Sequence, residues 1–356
     1  MHPFRKGTMG LALAGSVVFG GWAHDAMRAL PLGRVNVGGE IGRRIDITIT
    51  NNLYKLEVDR DFLEPFRNKT RQGASIGLGK LIEQATRLAA YDRREKTREM
   101  RRYILAETLK TQGADGYIGC LAEGSRMKEL WDLPEMGFII LGLVVDYRLF
   151  GENASLEAAR RAADYILKNW DTLPPDWGTH GVADVPSCTG LCYALLTLYA
   201  ETRDTRYPAF CLKQRYMADW DPGIVIGRRK NLDAHIYTYL DQCVVQLELY
   251  RSQRNRRLLR PALRAMRFLR EGDGACITGG AGIWECWTND QDGRKALAET
   301  CASAYQIRVY DSLLRLDGDA AYGDLMERTI YNTLFAAQEP NGRRIRYYSP
   351  FEGPRE

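Results

Sequence analysis

Four stretches of this 356-residue chain repeat one design: DYRLFGENASLEAA, LYAETRDTRYPAF, LYRSQRNRRLLRPA and LLRLDGDAAYGDL. In each, an apolar helix end runs into a short polar turn and then into another helix. The anchoring residues, Tyr147, Tyr199, Tyr250 and Leu314, are spaced by 52, 51 and 64 residues. A period near 50 with two helices per unit means stacked helical hairpins, because one amphipathic pair buries its apolar face only against the next. Apolar residues at i, i+3 and i+4 place helices over 76–91 and on to 112 with a break near Tyr91. The same spacing places others over 135–150, 154–170, 188–202, 205–217, 234–252, 256–270, 298–316 and 320–338. The expected fold is all-α, with about five helical pairs in an open solenoid or a closed (α/α) toroid. Residues 34–65 read differently, since RRIDITITNN alternates at period two and predicts a short strand-like N-terminal segment.

Between the pairs lie long Gly- and Trp-rich loops, among them NWDTLPPDWGTHGVADVPS, ADWDPGIVIGRRKNLDAH and EGDGACITGGAGIWECWTNDQDGRK. Loops of that length on a rigid scaffold are where function concentrates. By fold analogy, toroids of six hairpins gather such loops around one mouth, and many handle carbohydrates.

Charge narrows the partner class. The chain has 50 Lys plus Arg against 45 Asp plus Glu, a net +5 with no basic stripe, which gives nucleic acid no electrostatic footprint. The N-terminus MHPFRKGTMGLALAGSVVFGGWAHDA has two basic residues, an apolar run of about 15 residues and Gly21-Trp22-Ala23, the grammar of an export signal over 1–23. That run is shorter than the roughly 20 residues that span a bilayer, so export to the periplasm or exterior is expected rather than stable membrane insertion. The expected layout is then an extended segment over 24–73 and an incomplete toroid over 74–356. Eight dispersed cysteines do not form the framework of a small secreted domain, and Cys192 and Cys243 sit within apolar helical patterns as buried residues do.

Chemistry concentrates in two stretches. The loop from Gly272 to Gly282 lacks the spacing of a phosphate cradle and instead delivers GIWECW, where Glu285 sits between Trp284 and Trp287. Desolvation by indoles raises a carboxyl pKa and suits a general acid, although the same pattern also suits a rim carboxylate beside core tryptophans. In ALAETCASAYQI, Glu299 and Cys301 are two residues apart, about 200° around a helix, so both face one ligand only at a helix entrance. Carboxylate and thiolate together are legitimate zinc donors, but Glu-x-Cys alone is equally an ordinary helix start. Glu327, in YGDLMERTIYN, suits a surface ion pair as well as a pocket, and His235 opens a helix in NLDAHIYTYLDQ, where histidine is commonly structural. His180 has no partner legible in the sequence. Four histidines in the whole chain exclude a His-rich metal site.

Several stretches together resemble glycoside hydrolase family 127, the β-L-arabinofuranosidase-like family: GLGKLIEQATRLAAY, LKTQGADGYIG, ELWDLPEMGFIILGLVVDYRLFG, GAGIWECW, LAETCASAYQI, and above all LLRLDGDAAYGDLMERTIYNTLFAAQEPNGRRIRYYSPFEG. The resemblance covers nearly all of the chain after the leader. It implies an (α/α) six-hairpin toroid followed by β-sandwich modules, acting on a carbohydrate of the L-arabinofuranoside type. It further implies a retaining reaction in which a zinc-bound cysteine attacks the anomeric carbon and a glutamate serves as acid and base. By matching motifs, Glu299 and Cys301 would be zinc ligands, Glu285 the acid/base, Glu327 a pocket carboxylate, and His235 and Tyr347 sugar contacts. Two departures follow. Pro134 of DLPEMG stands where the family has a pocket histidine, with Glu135 retained, and the adjacent cysteine pair that supplies the nucleophile and two further ligands occurs nowhere in the sequence. With two of four zinc ligands and about five of six hairpins, the expectation is a truncated or split hydrolase, impaired as it stands. The alternative is a non-catalytic toroid that binds sugar or a partner; an epimerase or lyase on the same toroid leaves Glu-Thr-Cys and GIWECW unexplained.

Overall fold

The computed structural model describes residues 25–69, 77–129, 131–173, 189–227, 235–293 and 296–352; the expected leader, His180 and Cys188 lie outside them. A short N-terminal part holds α1 (Gly39–Ile47) and α2 (Glu64–Asn68). Five helical hairpins follow: α3 (Leu78–Tyr91) with α4 (Glu95–Lys110), α5 (Asp132–Phe150) with α6 (Asn153–Asn169), α7 (Leu191–Thr202) with α8 (Arg206–Lys213), α9 (Ile236–Gln253) with α10 (Arg260–Glu271), and α11 (Thr300–Asp317) with α12 (Ala320–Thr329). The odd-numbered helices α3 to α11 form the inner layer, each packed on the next, and the even-numbered ones α4 to α12 lie outside them.

The inner helices run parallel. Gly79 lies against Ile139 while Gly142, one turn further along, lies against Ile82, and a Cβ on Gly79 would come within 2.3 Å of the Ile139 nitrogen. Likewise Tyr237 packs on Tyr305 near the start of α9 and α11, and Arg251 bonds Ser312 near their ends. All five N-termini therefore point to one end of the ring. At the other end, four of the inner helices stop in the same way: the left-handed residues Gly151, Arg203, Arg254 and Gly318 donate their N–H to the carbonyls of Tyr147, Tyr199, Tyr250 and Leu314. Those acceptors are the four anchors of the sequence repeat, so the repeat marks a recurring helix cap. Arg251 and Arg315 clamp Asp25 at this end, with cations where the helix dipoles are negative.

One expectation is corrected. The strand-like reading of RRIDITITNN fails, because Gly39–Ile47 is α-helical and Thr48–Asn52 continues it as a π turn. Ile41, Ile45, Thr48 and Asn52 recur at helical spacing and, half-buried, line one cavity with Leu334 and Phe335, and that tertiary contact overrides the local alternation. Gln338 meets this segment through Arg44 and Thr48, so the start of the fold touches its end. Between α3 and α11, Arg308 reaches Glu83.

Candidate active site

The mouth of the ring is built where the 272–299 loop lies over the starts of α9 and α11. Within the loop, Ile283 and Cys286 exchange backbone hydrogen bonds around a two-residue turn whose central residues are Trp284 and Glu285. Both have positive φ, 52° and 70°, the signature of a type I′ hairpin turn, which Asn-Gly ordinarily fills. The turn is anchored on both sides. Ile236 N–H donates to the Glu285 carbonyl at 3.0 Å, and Trp284 N–H to that of Ala296 at 2.9 Å.

These anchors bring five expected residues together. Tyr347 donates its hydroxyl to Glu285 Oε1 at 2.8 Å, and its own carbonyl accepts from Thr300 N–H, which ties the 345–350 segment to the start of α11. His235 pairs with Cys286 as an antiparallel bridge, and its buried ring faces Thr238 Oγ1 at 3.1 Å. Burial lowers the His235 pKa, with Glu285 opposing, so the imidazole is neutral at pH 7. Glu299 is the residue just before α11 and makes no capping bond, which frees its side chain for the mouth and makes this segment the helix entrance that the Glu-x-Cys spacing needs. It is 1% exposed, and its Oε2 has no hydrogen-bond partner.

Electrostatics at the pair follow from burial. Desolvation, aided by the nearby Glu285 charge, pushes Glu299 up to about 7 against the opposing influence of Tyr347, Cys301 and Lys80. Desolvation and then the Glu299 charge push Cys301 up to about 12. Free of any cation, the pair keeps its thiol protonated at neutral pH. Among the described residues no group of three or more His, Cys, Asp and Glu is placed to hold a metal.

Glu327 is not joined to this group: it is exposed on the outer helix α12. Glu135, at the position next to Pro134, does structural work. Its two oxygens accept from the N–H groups of Gly77 (2.7 Å) and Gly79 (2.9 Å), closing the first turn of α3. Two site residues escaped the sequence reading. Lys80 holds its ammonium 4.7 Å from the Phe138 ring centre and 5.3 Å from that of Tyr237, near enough to Glu299, Cys301 and Asp241 to favour their charged forms. A lysine in the first turn of a helix opposes the dipole, and that was its legible signal. Asp241 is buried on α9, accepts from Gly190 N–H at 3.1 Å, and is pushed up to about 6 by desolvation.

Comparison with known proteins bears on the family and the fold. A family profile described as the β-L-arabinofuranosidase catalytic domain of glycoside hydrolase family 127 matches residues 45–356. No curated protein matches the chain. Among solved structures, a family 127 β-arabinofuranosidase is similar with TM-score 0.72 at 20% identity, over 93% of this chain and 57% of its own. A family 127 β-L-arabinofuranosidase from Geobacillus stearothermophilus gives 0.71 at 20%, over 90% and 59%. A sugar epimerase from a ruminal bacterium gives 0.57 at 13%, over 88% and 92%. The chain thus spans less than two thirds of the length of the first two, and at such identities the likeness is one of fold, the helical toroid. With the family profile matching most of the chain, the protein belongs to the β-L-arabinofuranosidase catalytic-domain family, glycoside hydrolase family 127.

Proposed function

We propose that the chain binds an L-arabinofuranoside at the mouth of the toroid and supplies, through Glu285, the acid and base of a retaining glycosidase. The observation that carries this is the placing of Glu285 on a strained two-residue turn, fixed by Tyr347, beside the buried Glu299 and its half-buried neighbour Cys301. Tyr347 occupies Oε1, which leaves Oε2 of Glu285 to give a proton to the glycosidic oxygen and later to take one from water. His235, neutral and buried, offers its second ring nitrogen to a sugar hydroxyl.

Glu299 and Cys301 are the residues that would hold zinc. The fit rests on the Glu299 oxygen left without a partner in the buried mouth and on a neighbouring thiol, a donor set that suits a borderline-soft cation. When bound, zinc would keep a cysteine sulfur ionised at neutral pH. The two donors are half of a tetrahedral set, and the sequence has no adjacent cysteine pair to complete it. That last observation favours, as the second reading, a toroid that binds the sugar without turning it over.

Glu285→Gln separates the roles. In any form of the protein that turns over an aryl L-arabinofuranoside, this variant is expected to lose roughly 100- to 10,000-fold in rate while zinc content is unchanged. Undiminished turnover in Glu285→Gln would remove the residue from the mechanism.

A further inference from the structure

Trp284 anchors the Glu285 turn through its backbone N–H, while its indole is largely open to solvent. It is 46% exposed, in contrast to Trp287 three residues on, which is fully buried in the core. It occupies a left-handed conformation that is unfavourable for any residue but glycine. Strain of this sort persists at functional sites because the surroundings over-determine it. The indole meets Tyr348 with ring centres 5.8 Å apart and planes at 70°, so neither ring lies flat on the other. Tyr348 in turn meets Tyr347 at 4.8 Å and 83°, and Tyr347 bonds Glu285. A strip of three aromatic side chains therefore joins the carboxylate of Glu285 to the Trp284 indole.

We infer that Trp284, braced by Tyr348, is a stacking platform for the sugar residue on the leaving-group side of the bond cleaved. The inference rests on the reading of Glu285 as the group that protonates the glycosidic oxygen. The side is set by burial: Glu299, 1% exposed, marks the enclosed side of Glu285, where the sugar to be released by bond cleavage at its anomeric carbon must sit, and Trp284 lies on the open side. What reaches the open side is the rest of the carbohydrate. The electron-rich face of an indole suits the C–H face of a pyranose or furanose ring, and its two-angle side chain loses little freedom on binding.

Calorimetric titration of the 356-residue chain with methyl β-L-arabinofuranoside and with a β-L-arabinofuranosyl disaccharide tests this. The disaccharide is expected to bind roughly three- to tenfold more tightly, the range a single aromatic contact supplies. Trp284→Ala should abolish that advantage with the methyl glycoside Kd unchanged, Trp284→Phe should keep most of it, and Tyr348→Ala, which leaves the strained turn alone, should reduce it. Equal binding of the two ligands by the wild-type chain, or an advantage that survives both Trp284→Ala and Tyr348→Ala, overturns the platform and leaves the arabinofuranoside reading intact. If the methyl glycoside does not bind, that reading falls, and xylobiose, cellobiose and galactobiose are titrated instead. A disaccharide bound by the wild type and lost in Trp284→Ala then upholds the platform; failure of all three to bind overturns it.

Discussion

At the scale of single residues, the turn that carries Glu285 sets its geometry at the expense of backbone comfort. Two consecutive non-glycine residues with positive φ, Trp284 and Glu285, are followed along the same loop by a third, Ala298, just before Glu299. Since alanine and glycine both delete the indole, comparing Trp284→Gly with Trp284→Ala isolates the backbone contribution. The glycine variant is expected to be the more stable by about 1 kcal/mol, because glycine alone adopts this conformation without a Cβ penalty. Urea unfolding of the two proteins checks it, and a less stable glycine variant would mean that the turn is not strained. This strain could not be read from the sequence. GIWECW draws attention to Glu285 through its flanking tryptophans, yet a type I′ turn is recognised by Asn-Gly, and Trp-Glu gives no such sign. Glu299 and Cys301 were legible as a pair because a helix entrance is the one place where residues two apart converge. The separation of Glu327 from them was not, since a helical pattern does not tell an inner helix from an outer one.

At the scale of helices, the inner starts are held together by acids on their neighbours. Glu135 of α5 closes α3, and Asp241 of α9 closes α7 through Gly190. Asp241 is the informative one for pH, since desolvation raises its pKa from 3.8 to about 6 despite Arg308 and Lys80, with Tyr305 also bonded to it. The raised value means that the folded state holds a proton the unfolded chain releases. Stability contributed by this group is therefore undiminished below about pH 4 and falls as pH rises through 6, by at most about 3 kcal/mol. In Asp241→Asn, which can still accept from Gly190, the fall between pH 4.5 and 7 should be smaller than in the wild type. Parallel pH profiles of unfolding free energy would show that Asp241 is not protonated in the fold. The hairpins themselves were largely legible. Tyr147, Tyr199, Tyr250 and Leu314 recur because each offers its carbonyl to a left-handed cap, and such caps leave a visible mark of turn residues. RRIDITITNN misled because its alternation is real but the face it shares with residues near 334 has helical spacing, and those residues are far away in sequence.

At the scale of the whole molecule, five inner helices, α3 to α11, lie side by side with parallel dipoles, and the positive ends converge on the mouth. That field favours bound anions and ionised acids there. It does not ionise Cys301, because desolvation and the neighbouring carboxylate both act the other way. The described residues therefore present zinc with a carboxylate and a protonated thiol, with no third donor grouped beside them. A tetrahedral zinc site needs four ligands, and each missing one sharply weakens retention. The 356-residue chain is accordingly expected to lose added zinc on dialysis against a mild chelator, and to release no measurable sugar from an aryl L-arabinofuranoside while still binding it. Metal analysis after dialysis reads the first outcome and a chromogenic assay the second. Stoichiometric zinc that survives dialysis in the wild type and is lost in Cys301→Ser would show that residues outside the described set complete the site. Turnover that disappears with the same substitution while zinc is retained would make Cys301 the nucleophile, whereas turnover and zinc lost together would make it a ligand, because it is the thiol that lies beside Glu299 at the mouth.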